Sequence, residues 1–263
     1  MISVVITVYN KEKYIRSTIN SVLSQIIQPT EVIIINDGST DNSLRIINKL
    51  NLPKTYKVIT KKNGGVSSAR NLGLSLVTNN YVIFLDGDDI FLKNCILHFN
   101  KLIKRNPNYT LYAANRINKK GEKKIKKIKT SKFNYNLYFE YIISSNNLCW
   151  TSAVLINIQK GSNILFNESY SHGEDRDYFI QLLKKGDGFW SSEVVSKYIH
   201  DEEGLSSIPI SKKEDLFFLN FIYYIKNKRK TYSILKYKLK YIFFNILNNF
   251  KNKKFSNIVS WLH

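Results

Sequence analysis

Apolar and polar positions alternate in blocks along the first hundred residues of the chain. Four short runs rich in β-branched residues predict buried strands, namely Ile2–Tyr9, Glu31–Asp37, Lys57–Thr60 and Tyr81–Asp89. The segments between these runs place apolar residues at the spacing of an amphipathic helix. Strands that alternate with helices are typical of an α/β protein with a mostly parallel central sheet and helices on both of its faces.

Capping and helix-breaking residues indicate where the helices begin and end. Asn10 is predicted to cap a helix that carries apolar positions from Ile15 to Ile26 and that Pro29 ends. After the fourth strand, a further helix is expected to carry an apolar stripe from Leu92 to Ile103. Further along, Glu174–Gly186 has helical periodicity and stops at its final glycine.

Polar residues cluster where three of the predicted strands end. These clusters are Thr7–Asn10, Asp37–Ser39 and Asp86–Asp89. In open α/β sheets the ligand binds beyond the carboxyl ends of the strands. We therefore expect the three clusters to meet at the ligand-binding edge of the sheet.

The formal net charge of +20 is unevenly distributed. Residues 1–90 carry ten basic and seven acidic side chains, whereas residues 101–132 carry twelve and one, and residues 212–254 carry twelve and two. Basic segments bind nucleic acid, anionic lipid or phosphorylated substrates, although a lysine-rich proteome is an alternative explanation. The aromatic-rich segment from residue 211 has helical periodicity and suits an anionic membrane surface; the alternative is a helix packed on the rest of the chain.

Two features indicate the compartment. The N-terminus lacks a signal-peptide pattern, and no run approaches the ~18–20 apolar residues needed to cross a bilayer. Cys95 and Cys149 are isolated in the sequence, so we expect buried thiols in a reducing compartment and no zinc site. The cytoplasm is the expected location.

The turn Asp86–Asp89 suggests metal chemistry. Carboxylates one residue apart suit Mg²⁺ or Mn²⁺, which bind through one or two carboxylates together with substrate phosphates. The alternative is structural, with Asp88 or Asp89 capping a helix that begins at Phe91. The glycine patterns of dinucleotide-binding proteins and P-loop nucleotidases are absent from the sequence, which argues against both classes.

Five segments together resemble a known enzyme family. They are VVITVYNKEKYI (Val4–Ile15), EVIIINDGSTDNS (Glu31–Ser43), KNGGVSSARNLGL (Lys62–Leu74), YVIFLDGDD (Tyr81–Asp89) and GEDRDYFIQLLKKG (Gly173–Gly186). Their order and spacing are similar to those of the family-2 glycosyltransferases, which transfer sugars from nucleotide diphosphates. The resemblance implies the GT-A fold.

The resemblance also implies roles for individual residues. Contacts with the nucleotide sugar are implied for Thr7, Tyr9, Glu12, Asp37, Asn63, Arg70 and Asp86. In the family, a carboxylate at the position of Asp37 accepts a hydrogen bond from the uracil edge. The residue at the position of Asp86 faces the ribose or the donor sugar. Asp88 matches the metal ligand of the DxD motif, with Mn²⁺ or Mg²⁺ as the ion, and His200 matches a late histidine that reaches the metal or the diphosphate. Asp89 would be a helix cap or a support for the metal ligands.

Asp175 matches the catalytic base of the family. A sugar hydroxyl is a poor nucleophile, so a carboxylate within hydrogen-bond reach must accept its proton as the new bond forms. A position at a helix N-terminus would fix the direction of that carboxylate. A single displacement assisted by one base inverts the anomeric centre of the sugar.

The resemblance divides the chain into two parts. Residues 1–210 are predicted to form the GT-A catalytic domain, with a nucleotide-binding half at 1–105 and an acceptor-binding half at 106–210, and residues 211–263 form a helical extension. The expected reaction moves a sugar, from a UDP-sugar above all, to a glycan or lipid-linked oligosaccharide of bacterial polysaccharide or lipooligosaccharide synthesis. The enzyme would work on the cytoplasmic face of the inner membrane, without a nucleic-acid partner.

Two other functions remain open at the level of sequence. A nucleotidyltransferase also uses paired aspartates and a metal, but it releases pyrophosphate. A basic nucleic-acid-binding module would bind in a salt-sensitive manner and would leave the acidic motifs unexplained.

Overall fold

A computed structural model describes residues 1–117, 131–143, 147–170 and 172–199 of the chain. His200 and the extension at 211–263 lie outside these ranges, so the predictions made for them stay predictions. Within the described residues, no helix combines the length and apolar character needed to cross a membrane.

One central sheet organises the described part of the chain. Its strands are β1 (Ile2–Val8), β2 (Glu31–Asn36), β3 (Tyr56–Thr60), β4 (Tyr81–Asp86), β5 (Ile90–Phe91), β6 (Leu111–Ile117), β7 (Lys132–Phe133), β8 (Val154–Asn157) and β9 (Gly188–Lys197). The helices are α1 (Ile15–Leu23), α2 (Ser43–Asn48), α3 (Gly65–Leu76), α4 (Cys95–Arg105), α5 (Tyr135–Ile143) and α6 (Glu174–Lys185), with a 3₁₀ turn at Thr151–Ala153. The strand order is β3-β2-β1-β4-β8-β6-β9-β5, and β7 pairs with β9.

The first four strands form the parallel half of the sheet. β1 lies between β2 and β4, and β3 pairs with the outer side of β2, all in parallel register. Each strand returns through a helix, as the alternating pattern predicts. The prediction of a parallel sheet is confirmed for this half.

The remaining strands form a mixed half. β8 is antiparallel to β4 and to β6, whereas β9 is parallel to β6. The short strands β5 and β7 both pair with β9 in antiparallel fashion. The neighbours in this half are far apart in sequence, so local periodicity does not reveal their order.

Both faces of the sheet are buried under helices. On β1, Val5 belongs to an apolar cluster with Ala69 of α3 and Tyr178 of α6. The next residue, Ile6, points to the opposite face and joins a cluster that includes Ile19 of α1. A strand buried on both faces reads as a continuous apolar run, which explains the pattern of ISVVITV.

The boundaries of α1 differ from the prediction. The helix begins at Ile15 and ends at Leu23, before Pro29 is reached. Asn10 has a left-handed backbone with φ 51°, and its side-chain oxygen accepts a hydrogen bond from the Thr40 N–H at 2.9 Å. Asn10 therefore joins two loops and does not cap α1, and Ile26 lies beyond the helix with 63% of its surface exposed.

The region after β4 also differs from the expected helix start. Phe91 lies in the short strand β5. Helix α4 begins only at Cys95, with Asn94 at the N-cap position. Because neither Asp88 nor Asp89 lies at a helix terminus, the helix-capping interpretation of both aspartates is wrong.

Candidate active site

The carboxyl ends of the parallel strands bring the three polar clusters together. In the register of β1 and β4, Thr7 lies opposite Asp86. On the other side of β1, the Asp37 N–H donates to the Val8 carbonyl at 2.8 Å. The ends of β1, β2 and β4 thus form one polar edge, as predicted.

The turn that follows β4 is fixed by its glycine and by α1. A Cβ atom on Gly87 would lie 2.9 Å from the Thr7 carbonyl oxygen, so only glycine lets the turn approach the end of β1 this closely. The Thr18 hydroxyl donates to the Gly87 carbonyl at 3.0 Å. The Asp89 N–H closes the turn on the Asp86 carbonyl at 2.9 Å. The carboxylates of Asp86 and Asp88 therefore project from a constrained backbone.

Asp88 forms an ion pair with a lysine that the sequence does not single out. Lys11 Nζ lies 2.7 Å from Asp88 Oδ2, and each side chain is 16% exposed. Burial raises the pKa of Asp88, and the nearby charge of Asp86 raises it further, while Lys11 lowers it. The turn thus concentrates negative charge that favours a cationic partner.

The donor atoms of this turn fit a divalent ion completed by substrate oxygens. Among the described residues, no group of three or more His, Cys, Asp or Glu side chains is arranged to hold a metal on its own. Mg²⁺ and Mn²⁺ do not require such a group, because one or two carboxylates with phosphate oxygens and water suffice. Asp88 is suited to be that ligand, and Asp86 lies two residues away on the same turn.

Arg70 connects this turn to a distant part of the chain. One guanidinium nitrogen of Arg70 lies 2.8 Å from Asp86 Oδ1, and another lies 2.8 Å from Glu174 Oε1. The guanidinium carbon also lies 5.2 Å from the centre of the Phe166 ring. Burial alone would lower the pKa of Arg70, but the two carboxylates outweigh it and the pKa is raised. Arg70 is a permanent cation that holds α3, β4 and α6 together.

The ion pair between Arg70 and Glu174 brings the neighbouring Asp175 to the site. Asp175 lies beside Glu174 in the first turn of α6, which begins after Gly173 in a left-handed conformation with φ 77°. Asp175 Oδ1 accepts a hydrogen bond from the Arg176 N–H at 2.7 Å. The structure therefore places the predicted base on the same edge as the predicted metal ligand, although 87 positions separate Asp88 and Asp175 in sequence.

Asp37 is engaged by the loop before α3. Its side chain is 3% exposed and accepts hydrogen bonds from Lys61 Nζ at 2.7 Å, the Gly64 N–H at 3.1 Å and the Gly65 N–H at 2.9 Å. These bonds fix the start of α3, which carries Arg70. A contact between Asp37 and a uracil edge stays a prediction.

The other predicted nucleotide contacts surround this edge. Glu12 Oε2 accepts hydrogen bonds from the Asn42 backbone N–H at 2.8 Å and from its side-chain amide at 2.9 Å. Thr7 is buried, whereas Tyr9 and Asn63 are exposed. Glu12 thus joins the loops after β1 and β2, and direct contacts of these residues with a nucleotide stay predictions.

Sequence reasoning did not identify Arg116 at the end of β6. Its guanidinium carbon lies 3.7 Å from the centre of the Trp150 ring and 4.6 Å from that of Tyr198. Burial lowers the pKa of Arg116, while Asp89, Tyr198 and Asp175 act in the opposite direction. No motif marks this arginine, because in the sequence it is one of twelve basic residues between positions 101 and 132.

Asp89 links the turn after β4 to the segment that follows β9. It is buried, and its Oδ1 accepts a hydrogen bond from the Ile199 N–H at 3.2 Å. Burial raises the pKa of Asp89, and the charge of Asp86 adds to that effect. Of the two predicted roles for Asp89, the contact with Ile199 is consistent with support and not with helix capping.

The described chain is an α/β sheet with paired carboxylates and a helix-borne aspartate at its carboxyl edge, and comparison with known proteins identifies the fold as GT-A. The family model described as "Glycosyl transferase family 2" matches residues 3–161. The chain belongs to this family of glycosyltransferases, as the sequence motifs predict. The predictions of family, fold class and enzyme class are confirmed.

Curated relatives are longer than this chain. An uncharacterised glycosyltransferase of Rickettsia conorii is 31% identical over 86% of this chain and 37% of its own length. The hyaluronan synthase of Pasteurella multocida is 28% identical over 84% of this chain and 23% of its own length. The matched region thus spans only 23% to 37% of the length of these two relatives.

The fold is also found among solved structures. Residues 1–349 of S. aureus TarS, crystallised with UDP-GlcNAc, align with a TM-score of 0.68 and 22% identity. The alignment covers 80% of this chain and 62% of the TarS chain. At this identity the similarity establishes the shared fold.

Proposed function

We propose that this protein is a metal-dependent inverting glycosyltransferase that uses a nucleotide-diphosphate sugar, with a UDP-sugar as the expected donor. Family membership and the fold shared with a protein crystallised with UDP-GlcNAc support this donor class. The observation that carries the mechanism is the double ion pair of Arg70, which joins Asp86 to Glu174. Through it, the metal-ligand candidate Asp88 and the base candidate Asp175 share one edge.

Asp88 would hold the divalent ion, with His200 as a second candidate ligand beyond the described residues. When bound, Mn²⁺ or Mg²⁺ supplies positive charge that stabilises the leaving nucleoside diphosphate. Glycine at position 87 and the Thr18 hydrogen bond keep the Asp88 backbone in place. The chain therefore contributes one constrained carboxylate, and the donor phosphates complete the site.

Asp175 would act as the general base. The Arg176 N–H already holds Oδ1, which leaves Oδ2 to accept the proton of the acceptor hydroxyl. The hydroxyl oxygen then attacks the anomeric carbon, and the bond to the diphosphate oxygen breaks on the opposite side. One base and one displacement give an inverted linkage.

The donor would lie across the carboxyl ends of β1, β2 and β4. Thr7, Tyr9, Glu12, Asp37 and Asn63 would contact the nucleotide there. Arg70 would act mainly by orienting Asp86 towards the donor sugar, since both of its charged contacts are made within the protein.

The proposed acceptor is a hydroxyl of a glycan or lipid-linked oligosaccharide. Relatives named hyaluronan synthase and chondroitin synthase support a saccharide acceptor. The basic aromatic segment at 211–263 supports a peripheral position on the cytoplasmic face of a membrane.

A product assay with two variants tests the proposal. The full chain is incubated with Mn²⁺, a panel of UDP-sugars and saccharide acceptors, and UDP release is measured. We expect Asp175→Asn to lower turnover by about 100-fold or more while Mn²⁺-dependent UDP binding is retained. We expect Asp88→Asn to abolish the Mn²⁺ dependence of UDP binding.

Asp187→Asn is the matched control, because Asp187 is a half-exposed acid paired with Lys132 on the surface. It should behave as the wild type. Full turnover of Asp175→Asn would disprove the assigned base. UDP binding that is unaffected by a chelator would disprove the metal site, and release of pyrophosphate would identify a nucleotidyltransferase instead.

A further inference from the structure

Lys11 already provides a cation at the carboxylate assigned to the metal. Its Nζ lies 2.7 Å from Asp88 Oδ2, and its stem passes over the turn, since a Cβ atom on Gly87 would lie 3.4 Å from Lys11 Cγ. An ammonium group and a divalent ion repel each other, so the ion is bound less tightly by a carboxylate that already holds an ammonium group. Binding of the ion at Asp88 is therefore weakened as long as the Lys11 ammonium stays at Oδ2.

The second carboxylate of the turn is occupied as well. Asp86 Oδ1 pairs with the buried Arg70 at 2.8 Å. A free divalent ion that approaches the turn thus meets two carboxylates whose charge is already balanced by Lys11 and Arg70. A nucleoside diphosphate changes this balance, because its phosphate oxygens can bind both the ion and the displaced ammonium group.

The backbone of Lys11 is fixed, so the movement falls to its side chain. The Lys11 N–H donates to Ser43 Oγ at 2.7 Å. The Lys11 carbonyl accepts from the N–H groups of Tyr14 at 2.9 Å and Ile15 at 2.8 Å, at the start of α1. The flexible four-carbon stem allows the ammonium to turn from Asp88 towards a phosphate without a rearrangement of the loop.

We propose that Lys11 couples metal binding to donor binding: it competes with a free divalent ion for Asp88 and pairs with the diphosphate when ion and nucleotide enter together. Lys11 therefore makes the site selective for the metal–nucleotide complex over the free metal. This inference rests on the proposed function, because it takes Asp88 as the metal ligand.

Mn²⁺ binding to the full chain, followed by the electron paramagnetic resonance signal of the free ion, tests the coupling without any measurement of turnover. Lys11→Met is compared with Lys13→Met, which removes the same charge from an exposed position two residues away. We expect Lys11→Met to bind Mn²⁺ alone about 10-fold more tightly than the wild type, a typical size for a coupling between two ligands. Lys13→Met should match the wild type.

The same Mn²⁺ titrations are then repeated in the presence of UDP. In the wild type, UDP should strengthen Mn²⁺ binding strongly, and in Lys11→Met this gain should be smaller. Adding Asp88→Asn to Lys11→Met should remove the tighter binding of Mn²⁺ alone. Equal Mn²⁺ affinities of Lys11→Met and Lys13→Met would overturn the role of Lys11 and leave the metal site intact, whereas Mn²⁺ binding that does not depend on Asp88 even with UDP would overturn both.

Discussion

The two halves of the sheet contribute to the site in different ways. In the parallel half, β1, β2 and β4 end at one edge, and the polar residues that follow each strand meet there. In the mixed half, β8, β6 and β9 are neighbours although they are distant in sequence. Its site residues come from the first turn of α6 and from the end of β6. The first half carries the carboxylates proposed to bind the donor, and the second carries Asp175, the proposed base.

The connection between the halves is electrostatic as well as covalent. Arg70 of α3 reaches Asp86 at the end of β4 and Glu174 at the start of α6. A buried arginine between two carboxylates has a fork geometry that fixes both partners. The position of Asp175 relative to the turn Asp86–Asp89 therefore depends on Arg70, one side chain from the parallel half.

Replacing Arg70 with methionine should produce the largest change. Glu174 would remain buried without its cation, and the free energy of unfolding should fall by about 3 kcal/mol, the lower end for a broken buried ion pair. The lower end applies because the Asp86 side chain is 34% exposed and keeps part of its hydration. Urea unfolding of the purified chain measures this change.

The control for this variant is Arg105→Met on the exposed end of α4, which should change stability by less than about 0.5 kcal/mol. Adding Glu174→Gln to Arg70→Met should restore part of the loss, because it removes the unpaired buried charge. If Arg70→Met and Arg105→Met were equally stable, Arg70 would not connect the two halves.

Two glycine-to-alanine substitutions, one in each half of the sheet, test which half binds the donor. In Gly87→Ala, the new methyl group meets the Thr7 backbone oxygen at 2.9 Å, and we expect a loss of about 1–3 kcal/mol. In Gly188→Ala of β9, it meets the Phe133 ring at 2.5 Å, and we expect a loss of similar size. Only Gly87→Ala should also weaken Mn²⁺-dependent UDP binding, because only this substitution displaces the Asp88 turn.

Calorimetric titration of UDP with Mn²⁺, under conditions where both variants are folded, provides the readout. Equal UDP affinities of the two alanine variants would contradict the assignment of donor binding to the edge of the parallel half.

The parallel half could be predicted closely from the sequence. Runs such as EVIIIN are buried on both faces, so their apolar character directly reports strand position. The position of the acidic turn could be predicted as well, because it begins where the apolar run that ends at Leu85 stops. What failed was local backbone detail, since the left-handed Asn10 and the late start of α4 at Cys95 depend on contacts with other loops.

The pairings around the site could not be predicted in the same way. The contact between Lys11 and Asp88 joins two loops, and that between Arg70 and Glu174 crosses 104 positions. The family motifs predicted that Asp88 and Arg70 belong to the site, but they assigned no role to Lys11 or Glu174 and did not predict either contact. Neither the hydrophobic pattern nor the family motifs identified Arg116, because the rings that it contacts, Trp150 and Tyr198, come from other parts of the chain.

The smallest expected effect concerns Arg116, the basic residue that the mixed half adds to the site. Its guanidinium contacts the rings of Trp150 and Tyr198, and methionine would keep the stem but lose both cation–π contacts. We expect a loss of about 1 kcal/mol in the free energy of unfolding, since Arg116 is only partly buried. Urea unfolding gives the stability, and near-ultraviolet circular dichroism reports the packing of the aromatic rings.

Arg116→Lys sharpens this test, because lysine retains the charge but lacks the planar group that stacks on a ring. If stacking matters, the lysine variant should fall between the wild type and Arg116→Met in stability. If only the positive charge opposite Asp89 and Asp175 matters, Arg116→Lys should have the same free energy of unfolding as the wild type. The second result would show that Arg116 acts mainly as a counter-charge and that its aromatic contacts add little.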